Sequence, residues 1–212
     1  MSERLERGKN WPQEFGTSEP QYGLFRKPFA QKPPASQKWR NKRPGNSAEH
    51  LRLLRLLPCS VSPDNRDIQV HHLKGGPAIA TRGMGMKAPD MWGVPLSARK
   101  HLFDLEAIGS RHEFAWFMSY GINPYDLAHR LWCGTGDRDR MARILLTHKL
   151  AGTAVLLDMR KAGFVQVTIH DLAPLTDQLT PKEWMHITPQ QVLASMLQRR
   201  VIDLRSEEWK RT

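Results

Sequence analysis

Cysteine is almost missing from this chain, with only Cys59 and Cys133 among 212 residues. Two thiols cannot frame a disulfide scaffold, so stability must come from a packed core, and both are expected to be reduced. Long apolar runs are absent too: no window approaches the roughly twenty residues that a membrane-crossing helix needs. Residues 1–7 lack the apolar stretch of a secretory leader. These absences lead to the expectation of a cytoplasmic protein with no membrane partner. Acidic side chains are in short supply, 21 against 32 Lys and Arg, which leaves a net charge of +11. Such an excess favours a polyanionic partner, nucleic acid above all. No internal repeat is present.

Proline, by contrast, is plentiful near the start. Pro12, Pro20, Pro28, Pro33, Pro34 and Pro44 break any periodicity, so residues 1–46 read as a disordered basic arm. Within it Lys38, Arg40, Lys42 and Arg43 surround Trp39. Cations beside an aromatic ring suit phosphate contact together with base stacking.

The remainder is punctuated clearly enough to outline an α+β chain. Ser47 is a candidate N-cap for a helix over 48–57, ended by Pro58. Residues 67–73 alternate like a strand, and 92–96 return as a second strand after a loop opened by Gly75 and Gly76. Ser97 is placed to cap a helix over 98–108. Ser110 and Glu113 form a capping-box pattern, and Asn123-Pro124 starts a further helix. A long helix is expected from Asp137 to Ala162, divided at Gly152, then a strand over 164–169. Thr180-Pro181 and Thr188-Pro189 read as the starts of two last helices. The domain reading is a basic arm (1–46), a hairpin-and-helix domain with flanking helices (47–135) and a mainly helical extension (136–212).

The chemistry concentrates at His71, His72 and His101. Imidazole ligates metals when neutral and, with a pKa of about 6.5, also serves as a base near neutrality. Neighbours on a strand point to opposite sides, so His71 and His72 would take different tasks.

The ordered set Leu57-Pro58-Cys59, His71-His72-Leu73, Gly85, Lys87, Asp90, Trp92, Val94-Pro95-Leu96 and His101 resembles the HNH (ββα-metal) nucleases. The nearest type is that of phages and prophages, which includes the RecA-dependent recombination-enhancement nucleases. The later Gly121-Ile122-Asn123-Pro124 and Leu131-Trp132 also resemble that type, so the likeness spans about residues 51–132. It implies a ββα-metal centre embedded in helices and a divalent-metal-dependent DNA endonuclease or nickase acting in recombination or processing. His71 and His101 would be metal ligands, His72 the general base, and Mg2+ or another divalent cation the cofactor. Arg82, Lys87, Arg99 and Lys100 would meet DNA phosphates. A host recombination protein or other host factor is a second candidate partner, in the host cytoplasm if the chain is phage-encoded.

The departures from the family are equally concrete. Its zinc-knuckle positions read Cys59, Ser62, Ser97 and Lys100, so a structural zinc is not expected. A frequent third histidine is replaced by Leu105. Asp104 and Glu106 each lie about 100° of helix rotation from that position, and Asp104 is taken as the third ligand. Trp92 stands at the family's asparagine position. The alternative reading is a degenerate relative that binds nucleic acid or a host protein without cleaving.

Overall fold

The computed structural model describes residues 43–81, 86–164, 166–192 and 194–199. Lys38, Arg40, Lys42 and Arg82, with most of the proposed basic arm, lie outside the described residues. Ser47 caps helix α1 (Ala48–Leu54) by accepting the backbone N–H of His50. α1 is shorter than the periodicity predicts, because the chain passes into turns before Pro58.

Strand β1 (Ile68–His72) pairs antiparallel with β2 (Gly93–Ser97), setting His71 opposite Val94 and His72 opposite Gly93. Pro95 fits inside β2 because its missing N–H leaves no gap in the ladder: its carbonyl accepts both the backbone N–H and the hydroxyl of Ser60. Gly75 and Gly76 are not a free loop. Gly76 opens a short helix α2 (Gly76–Ala80) at φ +47°, and a Cβ there would lie 2.5 Å from the Trp184 ring.

After β2 the predicted Ser97 cap does not form. The chain enters a π-helical stretch, Lys100–Leu105, with no side-chain cap, and continues as α3 (Glu106–Ile108). Helices α4 (Glu113–Ser119) and α5 (Pro124–Cys133) follow; Asn123 caps α5 by accepting the N–H groups of Tyr125 and Asp126. Helix α6 (Arg138–Lys161) runs unbroken past Gly152. A Cβ at Gly152 would stand 2.6 Å from the Gly121 carbonyl oxygen, so this glycine admits a crossing chain instead of ending the helix. The expected strand at 164–169 is absent among the described residues. Thr168 and Asp171 form a capping box there that starts α7 (Ile169–Thr176). Thr180 and Glu183 cap α8 (Pro181–His186) in the same way, and Thr188 exchanges cap bonds with Gln191 at the start of the last helical residues.

Among the described residues the result is an α+β arrangement, mainly helical around one two-stranded antiparallel sheet. Its core joins Leu54, Leu73 and Leu96 to Phe117, Leu131, Met141, Leu145 and Leu172, so the stretch after Gly136 shares the core of the hairpin. Among the described residues, no helix is long and apolar enough to cross a membrane.

Candidate metal centre

Strand alternation separates the two adjacent histidines. His71 is buried, and its Nε2–H donates to Glu113 Oε1 at 2.7 Å. His72 leaves the other face of β1, half-buried, and its Nε2–H donates to Asp90 Oδ1 at 3.0 Å. Asp90 is held in turn by the backbone N–H of Ser47 on its other oxygen.

Glu113 is the residue that sequence reasoning misplaced. It makes no capping box with Ser110. Its buried carboxylate instead accepts His71, the backbone N–H groups of Lys74 and Gly75, and the Tyr125 hydroxyl. A buried charge needs such partners. Trp184 of α8, stacked on Phe114 with ring centroids 4.8 Å apart, closes the wall behind it.

The bond to Glu113 fixes the tautomer of His71: Nε2 carries the proton and Nδ1 keeps its lone pair. That Nδ1 is buried and has no hydrogen-bond partner. His101 is prepared in the same way. Its Nδ1–H donates to Gln69 Oε1 at 2.8 Å, leaving Nε2 unengaged, and its ring meets that of His71 edge-on at 4.9 Å. Burial, with the neighbouring His71, lowers its pKa to about 4, so His101 is neutral at pH 7. A ligating histidine typically donates its second nitrogen to a carboxylate or carbonyl oxygen, and both histidines do so here.

The third member is Glu106. Ligand-capable atoms of His71, His101 and Glu106 all lie within 4.8 Å of one another. The π-helical turn explains why. On an α-helix residues five apart stand about 140° round the axis; i→i+5 bonding brings them to nearly the same face. Lys74 Nζ donates to Glu106 Oε1 at 2.9 Å and holds its carboxyl below the usual carboxylate range. Asp104, the expected third ligand, is placed elsewhere: it pairs with Lys100, which also donates to the Tyr120 hydroxyl at 3.1 Å. Lys100 is thereby committed within the chain. Lys87 and Arg99 are exposed, and Arg43 donates to the Thr81 carbonyl at 3.3 Å.

The donor set could hold a divalent ion: two imidazoles each anchored through one nitrogen, one carboxylate, and a buried His71 Nδ1 with no hydrogen-bond partner. Two ligands of one ion stand at most about 4.2 Å apart, so these three groups would have to close slightly to hold one. The Trp92 indole donates to Thr81 Oγ1 at 2.9 Å and braces the chain after α2.

Cys59 is buried. Burial pushes its thiol up, but bonds from Ser62 and from the backbone of Ser97 and Val61 outweigh that and lower it. Lys149 of α6 donates to the carbonyls of Cys59 and Ser62 at 2.9 and 3.0 Å, tying this loop with an ammonium group. Compared with known proteins, the chain matches no family model, no curated protein and no solved structure.

Proposed function

We propose that this protein is a divalent-metal-dependent nuclease acting on DNA, with a ββα-metal centre of HNH type formed by β1, β2 and the helix carrying His101. The observation that carries the reading is the convergence of His71, His101 and Glu106, with one nitrogen of each histidine already anchored. A divalent ion held there supplies a Lewis acid for a phosphate oxygen.

The chain's own groups supply the rest. Glu113 and Gln69 keep the two imidazoles in their ligating tautomers. Asp90 engages Nε2 of His72, so Nδ1 is the atom that takes the proton of an attacking water. Lys74, paired with Glu106 at 2.9 Å, would set an ammonium group next to the metal-binding residues, where it could contact a bound phosphate. Exposed Lys87 and Arg99 add flanking positive charge. A host recombination protein or other host factor remains the second partner proposed.

The test is nicking of supercoiled plasmid and cleavage of single-stranded DNA with magnesium, manganese or EDTA. The parent is expected to nick with metal and stop with EDTA, and His72→Ala to lose the activity. No metal-dependent cleavage, or His72→Ala cutting like the parent, would refute the reading. DNA retardation that persists in EDTA would then favour the non-cleaving alternative.

A further inference from the structure

Between α5, α6 and the chain that follows α8 lies a cavity of about 370 Å³. Its lining joins the polar side chains of Asp126, Arg130 and His148 to the apolar ones of Met185, Ile187 and Pro189. Small-molecule sites occupy roughly 300–1,000 Å³ and pair an apolar wall with a few polar groups in this way. None of these residues belongs to the metal centre.

The charges in the lining do not balance. Both ring nitrogens of His148 face acceptors, Nδ1 the Ile144 carbonyl at 2.9 Å and Nε2 the Asp126 carboxylate at 3.0 Å. A neutral imidazole carries one N–H only, so this pair of bonds is complete in the imidazolium form. Burial pushes the Asp126 carboxyl up, but the bonds from His148 and Arg130 outweigh that and hold it below its ordinary value. Two cations therefore share one carboxylate, which leaves one positive charge in excess beside a His148 side chain only 15% exposed. A charge held out of water in this way calls for a counter-ion. Arg130 uses Nε alone on Asp126, at 2.9 and 3.0 Å. Its terminal amino groups have no partner among the described residues, and their planar fork matches a carboxylate. His186, the other titratable side chain in the lining, is exposed to solvent.

We propose that this cavity binds a small organic carboxylate, its anionic end on the free fork of Arg130 and its apolar body against Met185, Ile187 and Pro189. One negative charge matches the excess, whereas a phosphate dianion would exceed it and be repelled by Asp126. The apolar wall offers a nucleic-acid backbone nothing, which separates this site from a DNA contact.

Saturation-transfer NMR on the full chain tests this with phenylacetate, hexanoate, their neutral amides and inorganic phosphate as probes. EDTA is present throughout, so the outcome is independent of the metal centre. The two carboxylates should bind, and each amide about tenfold more weakly. Arg130 is exposed, and Arg130→Gln should keep the circular dichroism of the parent while weakening carboxylate binding about tenfold. His148→Gln, which removes the excess charge without touching the ligand, should weaken it as well. Absence of carboxylate binding, amides that bind equally, or phosphate that binds more tightly would each overturn the proposal. An Arg130→Gln chain that binds like the parent, or displacement of phenylacetate by a short DNA duplex, would overturn it too.

Discussion

The buried carboxylate of Glu113 shows how much of the candidate site rests on single residues. It accepts from His71, Lys74, Gly75 and Tyr125, and so fixes both the His71 tautomer and the chain leaving β1. Glu113→Gln replaces the anion with a neutral amide and should weaken metal binding about 10–100-fold, read by titration calorimetry. The three histidines were legible from sequence because their types and order are informative. Glu113 was not, because its spacing from Ser110 imitates a helix cap and only the tertiary structure reveals which acceptor it becomes. A second buried imidazole sets an acid limit on stability. His50 is fully buried, its Nδ1 lies 2.7 Å from Thr135 Oγ1, and its Nε2 has no hydrogen-bond partner. Burial lowers its pKa from 6.5 to about 4. Between those values the unfolded chain binds a proton that the folded chain refuses, so its contribution is full above pH 6.5 and is lost as pH falls toward 4. The loss is on the order of 3 kcal/mol by pH 4. Denaturant unfolding from pH 7 to 4 should show this fall, and His50→Gln should flatten it.

At the scale of elements, local signals held where they were self-contained and failed where another element decided. The caps at Ser47, Asn123, Thr168 and Thr180 form within a few residues of their helices. The caps at Ser47, Asn123 and Thr180 could be read from sequence, whereas residues 164–169 alternate like a strand but lead into the cap of α7. The turn carrying His101 was read with α-helical spacing, which favours Asp104. Its π-helical winding instead brings Glu106 to the His101 face, and nothing in the local residue pattern announces that winding. Lys149 is a comparable case. Its role as a cation tying the carbonyls of Cys59 and Ser62 depends on α6 packing against a loop some ninety residues away. Lys149→Ala removes two charge-assisted hydrogen bonds and should destabilise the fold by about 2 kcal/mol, measured by urea unfolding.

For the whole molecule, the α+β class was visible in the pattern of runs and turns, whereas the unity of its core was not. The residues after Gly136 read as an extension, yet Met141, Leu145, Leu172 and Val192 pack into the same core as the hairpin. Trp184 reaches the back of the Glu113 pocket through the space left by Gly75 and Gly76. Helical periodicity shows which face of each helix is apolar, but not which element that face meets. The candidate metal centre thus draws on both halves of the chain, which ties the fold to the proposed chemistry. The measurement that tests this most directly is manganese titration followed by loss of the free-ion electron paramagnetic resonance signal. It should be made on the parent and on His71→Ala, His101→Ala, Glu106→Gln and Asp104→Asn. The account predicts one ion per chain for the parent and for Asp104→Asn, with binding lost or severely weakened in the other three. A parent that binds no ion, or a Glu106→Gln variant that binds like the parent while Asp104→Asn fails, would contradict it.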